Sequence, residues 1–284
     1  MPTSTFNSNL IKAFYYKQNS NFGDVLTPYL IKQLFGVHVH HCTWPKNCNF
    51  IGVGSVLEKL DEAPEDVTIW GSGFMWDGTL SKPEWTITKQ NILAVRGKLS
   101  AARLIKKEDP RAKDFVSANG TVVGDPGLLI TDPREAKQYE LAFIPHYIDR
   151  NCEISNYIKR LPNVHYIDIM QEPSSFIHEL SKCKYAISSS LHGVIAADAL
   201  KMPNLHIMLS DKVMGKNYKF SDYYSAFDQE HKCVDLRTIG IRGLSTRRLL
   251  NSVFEYYKPK DNLELIQDGL KAKLEEYLKG RKLI

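Results

Sequence analysis

Lys184-Tyr-Ala-Ile-Ser-Ser-Ser-Leu-His-Gly-Val-Ile-Ala-Ala-Asp-Ala-Leu-Lys-Met-Pro203 is the stretch whose reading decides the fold. A β-rich run, Lys184–Ile187, ends in three serines and a histidine, and a small-apolar helical pattern follows over Leu191–Leu200. A strand that passes through a short polar turn into a helix is half of a parallel βα unit. The turn carries chemistry as well. Ser188, Ser189, Ser190 and His192 gather where unpaired amides and the helix dipole favour an anion. An imidazole there can move a proton near neutral pH. Anion binding with proton transfer suits a phosphorylated substrate; serines that merely cap the helix, with His192 as its first exposed residue, are the alternative.

The same alternation extends in both directions. Strands are predicted at Ile11–Tyr16, Phe50–Val53, Val67–Trp70, Ile92–Val95 and Thr121–Val123, with helices at Val25–Phe35 and Leu99–Lys106. After the turn-forming pair Asp132-Pro133 the pattern restarts. Strands follow at Leu141–Ile144, Val164–Ile169, Tyr185–Ser188 and Leu205–Met208, and helices at Ile154–Arg160, Ser174–Cys183 and Leu191–Leu200. The last third is helical, Ser245–Tyr257 and Asn262–Lys279. The expected fold is therefore α/β: two Rossmann-like domains facing a cleft, residues 1–133 and 134–244, with a helical tail over 245–284. Ligands of open α/β sheets sit at the carboxyl ends of the strands, and the candidate residues below all fall at such ends.

Composition narrows the function. The 284 residues are 43% hydrophobic and 24% charged, as in ordinary globular proteins. The formal charge of +5 fits the handling of anionic small molecules. No basic-aromatic module suggests nucleic acid. No run is long enough to span a membrane, and the N-terminus lacks the basic-then-apolar build of a signal peptide, so a cytoplasmic protein is expected. Leu263, Ile266, Leu270, Leu274 and Tyr277 form an apolar stripe in the tail, suited to core packing or to peripheral contact with the inner membrane face. Cys42, Cys48, Cys152, Cys183 and Cys233 are scattered and odd in number, which favours free thiols.

Several strand ends carry candidate residues. In Asn21-Phe-Gly-Asp24, Gly23 permits a tight turn and Asp24 either caps free amides or faces the cleft. Val53-Gly-Ser55 and Trp70-Gly-Ser-Gly-Phe74 lack a nucleotide fingerprint but allow close backbone approach, and the nearby Trp76 offers a surface for sugar stacking. Arg96 precedes a helix start, where a guanidinium can grip carboxylate or phosphate; Lys98 is a weaker candidate beside it. Asp125 either orients a ligand hydroxyl or stabilises its turn, and His146 is a second candidate for proton handling. Lys212, Lys216 and Lys219 occupy a polar loop, either a basic flap over an anion or a solvated segment. His38, His40, His41 and Cys42 lack zinc spacing and are read as surface residues, so no metal site is expected.

Ser-Ser-Leu-His-Gly followed by Ala-Asp-Ala-Leu-x-x-Pro resembles the polysaccharide pyruvyl transferase family, especially its exopolysaccharide ketal-pyruvyl transferase branch. Asn21-Phe-Gly-Asp-Val-Leu-Thr-Pro-Tyr29, Val95-Arg-Gly-Lys-Leu-Ser-Ala101 and Gly124-Asp-Pro-Gly-Leu-Leu129 agree in order and spacing. Other branches carry arginine two residues before the histidine, where this chain has Ser190. The resemblance implies a frame similar to GT-B glycosyltransferases, phosphoenolpyruvate as donor, and a hexose of a cell-surface (exopolysaccharide or capsule) precursor as acceptor, carried on a lipid-linked oligosaccharide. On that reading His192 is the acid/base. Arg96, Ser189, Ser190, Lys98 and Lys216 bind the donor, while Asp24, Asn21, Asp125, His146 and Trp76 face the acceptor. No metal or organic cofactor is demanded. A nucleotide-sugar glycosyltransferase and an inactive sugar- or anion-binding protein are the alternatives.

Overall fold

Each apolar run that feeds a helical pattern becomes a buried parallel strand, as expected where helices cover both sheet faces. The computed structural model describes residues 10–17, 21–78, 92–104, 120–215 and 217–284. The first half contains β1 (Ile11–Phe14), α1 (Leu26–Phe35), β2 (Val39–Cys42), β3 (Phe50–Ile51), β4 (Thr68–Ser72), β5 (Ile92–Val95), α2 (Lys98–Leu104) and β6 (Val122–Val123). The second half contains β7 (Tyr139–Ile144), α3 (Glu153–Ile158), β8 (Val164–Tyr166), α4 (Pro173–Ser181), β9 (Cys183–Ser188), α5 (Leu191–Ala199), β10 (Asn204–Met208), α6 (Tyr218–Ser225) and β11 (Cys233–Asp235). The tail forms α7 (Thr246–Tyr256) and α8 (Leu263–Gly280).

Two parallel sheets result, β2-β1-β3-β4-β5-β6 and β11-β10-β9-β7-β8, flanked by helices in the Rossmann-like manner. In each, the strand order reverses once: between β1 and β3, and between β7 and β9. Those reversals open crevices beyond the carboxyl ends of the strands. The sheets share an apolar core, in which Leu26, Trp70 and Phe22 join Phe176, Leu191 and Val194. Phe22 stacks on Phe176 at 3.9 Å between centroids, and its N–H donates to Ile169 O at 2.8 Å.

Three elements are additional to those expected, and others differ in their bounds. Val39–Cys42 and Cys233–Asp235 add edge strands, and Tyr218–Ser225 is a helix where a polar loop was expected. Its Ser, Asp and aromatic residues are weak helix formers, but burial of Phe220, Tyr223 and Tyr224 on one face overrides propensity. The expected strand Val164–Ile169 ends at Tyr166, and the strand Phe50–Val53 ends at Ile51. Pro173 opens α4 as its first residue, so Ser174 and Ser175 lie inside the helix and do not cap it. Ile105 and Lys106, expected to end α2, lie outside the described residues.

The tail divides between the halves. Helix α7 packs on β9 and β10, whereas α8 returns to β4, β5 and β6. Trp70 Nε1 donates to Leu270 O at 3.0 Å, and Gln267 Nε2 to Leu128 O at 2.6 Å. The apolar stripe of α8 is thereby buried in the core, ending on Leu278, while Tyr277 packs at its flank against Phe50. That face is closed to a lipid surface, and among the described residues no helix is long and apolar enough to cross a membrane. All five cysteines are free. Leu274→Ala should cost about 2–5 kcal/mol in chemical denaturation, as buried leucine truncations do; a loss below about 1 kcal/mol would contradict the integration of α8 into the core.

Candidate active site

The two crevices merge into one cavity of about 510 Å³. Asn21 and Asp24 reach it from the exit of β1, Ser55 from β3, Met75 and Trp76 from β4, His146 and Tyr147 from β7, and Ser190 and His192 from β9. The topological reversals account for the segments from β1, β3, β7 and β9, to which the neighbouring β4 and helix α6 add Met75, Trp76 and Lys219. Helix α5 points its N-terminus at this space. Its first intrahelical bond runs from Val194 N–H to Ser190 O, which leaves the preceding amides of the first turn outside the helical pattern.

The serines act differently from caps. Ser190 is the N-cap residue, but its side chain makes no cap hydrogen bond. Ser188 Oγ accepts Ser190 N–H at 2.9 Å and lies 2.8 Å from Ile144 O. Ser189 Oγ accepts His146 N–H at 2.8 Å and lies 3.2 Å from Asp149 Oδ2. Thus Ser188 and Ser189 brace the turn, and Ser190 alone of the three lines the cavity.

His192 sits at the focus. Its ring packs so closely on Gly23 that a Cβ there would lie 2.0 Å from Nδ1, so glycine is required for the ring's approach and not for a left-handed turn. Behind the ring, Nε2 lies 3.8 Å from Asp125 Oδ2, and neither atom has a hydrogen-bond partner. Asp125 is fully buried; its other oxygen accepts Gly127 N–H at 2.8 Å, capping the short turn Pro126–Leu129. The structure therefore puts Asp125 behind His192 and off the cavity wall, where the acceptor role read from its sequence position has no surface to act on. Burial pushes its carboxyl up to about 7, against the Gly127 amide and Arg96. Burial, then Arg96 and Lys219, pushes the His192 imidazole down to about 3.

Asp24 resolves in favour of the cavity. Val25, not Asp24, holds the N-cap position of α1. Burial raises the Asp24 carboxyl to about 7, with Lys219 opposing. His146 lines the same wall, its Nδ1 accepting Ile148 N–H at 3.3 Å; burial and then Lys219 depress it to about 3. Asn21 Oδ1 accepts Gly23 N–H at 3.0 Å and so fixes the loop under His192. Trp76 is half exposed at the rim. Two imidazoles held neutral by burial and two carboxyls raised toward neutrality form an arrangement that can hold and pass protons.

Arg96 is not brought to the cavity. It is fully buried, with Nε 2.9 Å from Asp222 Oδ2, Nη1 2.5 Å from Ser55 Oγ and Nη2 2.5 Å from Phe74 O. A Cβ on Gly73 would lie 2.3 Å from its guanidinium carbon. The guanidinium thus works one layer back, through Ser55. Lys98 is exposed on an ion pair with Asp228 at 2.5 Å, away from the cavity. Lys216 lies outside the described residues. Lys219, read from the sequence as part of a loop, is a buried residue of α6 that lines the cavity. The signal for it was the spacing of Phe220, Tyr223, Tyr224 and Phe227. His41 Nε2 lies 3.0 Å from Tyr15 O, and among the described residues no group of three or more His, Cys, Asp or Glu could hold a metal ion.

Both cavity imidazoles should stay neutral down to about pH 4, given pKa values near 3. Ring 15N spectra of the ligand-free protein check this through His192→Gln and His146→Gln assignments. Titration of either ring between pH 6 and 7 would contradict the enclosure described here.

The sequence pattern of the family described as polysaccharide pyruvyl transferase matches residues 21–211, which include every cavity-lining residue except Tyr16, Met214 and Lys219. Over 221 residues the chain is 28% identical to the succinoglycan biosynthesis protein ExoV of Rhizobium meliloti (strain 1021), covering 75% of this chain and 64% of that protein. It is also 28% identical over 229 residues to the uncharacterized protein L143 of Acanthamoeba polyphaga mimivirus, covering 76% and 74% respectively. The chain thus spans just under two thirds of the length of ExoV. The family match extends over well more than half of the chain, and the chain belongs to the polysaccharide pyruvyl transferase family.

Proposed function

We propose that the chain transfers the enolpyruvyl group of phosphoenolpyruvate onto two hydroxyls of one hexose in a cell-surface polysaccharide precursor, giving a pyruvate ketal and phosphate. The observation that carries this reading is the unpartnered pair His192 Nε2 and Asp125 Oδ2, 3.8 Å apart at the start of α5. A proton can rest on Asp125 at neutral pH and pass through His192. The donor's oxyanions lie over the amides that open α5 and the Ser190 hydroxyl.

His192 then protonates the donor's methylene carbon, and the adjacent carbon becomes an oxocarbenium-like electrophile. One sugar hydroxyl attacks that carbon and loses its proton to Asp24 on the facing wall. Phosphate departs with its bridging oxygen, and the second hydroxyl of the same hexose closes the ketal. Of the two hydroxyl protons, one balances the new methyl group and the other leaves with phosphate. His146 and Trp76 flank the acceptor, and Arg96 fixes Ser55 from behind. A lipid-linked oligosaccharide is the acceptor form that fits the half-exposed aromatic rim, with the reaction at the inner face of the membrane.

Incubation with phosphoenolpyruvate and nitrophenyl hexosides should yield a ketal by mass; turnover with nucleotide sugars and none with phosphoenolpyruvate would overturn the reading. His192→Ala should lower turnover by about 10²–10⁴-fold at an unchanged melting temperature, and near-full activity would reassign the acid/base.

The pH profile follows from the two carboxyls. Asp24 must be ionised to accept a proton, so the rate rises as pH passes about 7. Asp125 must be protonated, so the rate falls as pH rises beyond about 7. A bell centred near neutrality is expected, with its acidic limb removed in Asp24→Asn; an acidic limb unchanged in that variant would refute the role of Asp24.

A further inference from the structure

Two lysines of the described residues are buried, and they differ in one respect. Lys260 has partners: Nζ lies 2.9 Å from Gln229 Oε1 and 3.8 Å from Asp198 Oδ2. Lys219, only 6% exposed, has no hydrogen-bond or ion-pair partner among the described residues, and it lines the cavity. Asp24 across the cavity favours the charged ammonium but makes no hydrogen bond or ion pair with it. Burying an ammonium without a bonded counter-ion is costly, so such a group persists where it meets an anion that is absent from the resting protein.

The placement of Lys219 is fixed. One helical turn further along α6, Asp222 Oδ1 accepts Ser100 N–H at 2.7 Å and Oδ2 accepts Arg96 Nε–H at 2.9 Å. Gly97 lies against the Asp222 carbonyl so closely that no Cβ would fit. Ser225 Oγ accepts Lys98 N–H at 2.8 Å. Helix α6 is thus clamped to the first half by its polar face and to the core by Phe220 and Tyr223. Lys219 is held in the space shared by Ser190, His192 and Asp24.

Among the described residues, the rest of the cavity offers hydroxyls, the carboxyls of Asp24 and Glu58, and amides, but no cation free of a partner. Arg96 is enclosed, and Lys59 at the rim is already 2.6 Å from Glu62 Oε1. We propose that Lys219 binds an oxyanion of the donor, its phosphate or its carboxylate, in the cavity it shares with Ser190 and His192. This rests on the donor reading given above. Lys219 thereby supplies the positive charge that the strand exit lacks at Ser190, and it does so from a different element.

The test separates a binding lysine from a structural one. Lys219→Met removes a buried ammonium that makes no hydrogen bond or ion pair, so the ligand-free melting temperature should hold or rise, whereas loss of a structural lysine would lower it. Added phosphoenolpyruvate should stabilise the wild-type protein and leave the variant nearly unmoved. KM for phosphoenolpyruvate should rise about 10–100-fold with acceptor KM unchanged, as for loss of a charged hydrogen bond, and Lys219→Arg should recover part of the loss. Inorganic phosphate and pyruvate, titrated separately, tell which oxyanion the ammonium holds. Lys219-dependent binding of phosphoenolpyruvate without ketal formation would overturn the proposed reaction and leave this assignment standing. Ketal formation with unchanged donor KM in Lys219→Met would overturn the assignment alone. Failure of the wild-type protein to bind any of the three anions would also overturn it.

Discussion

The buried pair of Arg96 and Asp222 is the constraint on which the site depends. It joins the exit of β5 to α6 across 126 residues of sequence, with both side chains fully enclosed. Its geometry is backed by the Ser100 amide and hydroxyl, both bonded to the Asp222 carboxylate. Removing one partner of such a pair leaves a buried charge, at a cost of about 3–5 kcal/mol. The same guanidinium bonds Ser55 on the cavity wall, and its charge helps hold His192 neutral. One ion pair therefore ties the two halves together, orients a wall residue and adds to the burial that keeps the central imidazole neutral.

Around that clamp, close approach is bought with glycine at three strand exits: Gly23 admits the His192 ring, Gly73 the Arg96 guanidinium, and Gly97 the Asp222 backbone. None of the three has a left-handed φ. At Gly23 and Gly97 one half of the chain touches the other, while Gly73 admits a contact within the first half, so the glycines set how near the walls stand. The return of α8 to β4, β5 and β6 closes the opposite side. These contacts make the cavity a property of both halves together.

How much of this the sequence disclosed depends on the range of the interactions. Strand exits at Asn21–Asp24, His146 and Ser188–His192 were legible because βα order places them at carboxyl ends, whatever their partners. The position of Asp125 was not, because only the fold shows His192 in front of it. Arg96 looked like an exposed anion grip at a helix start, since nothing local reveals Asp222. Lys219 was hidden by weak helix formers whose burial, through Phe220 and Tyr223, turns a polar segment into α6. The α8 stripe, by contrast, was read correctly as apolar, although burial ends on Leu278 with Tyr277 at its flank.

The proposed reaction occurs at the donor's enol carbon, with protonation from the His192–Asp125 couple and displacement by sugar oxygens. Phosphoenolpyruvate labelled with 18O at the bridge between carbon and phosphorus tests this directly, by mass analysis of both products. Attack at carbon breaks the carbon–oxygen bond, so all of the label should appear in inorganic phosphate and none in the ketal. Label retained in the pyruvyl product would mean cleavage between oxygen and phosphorus, and would contradict the chemistry assigned to this cavity.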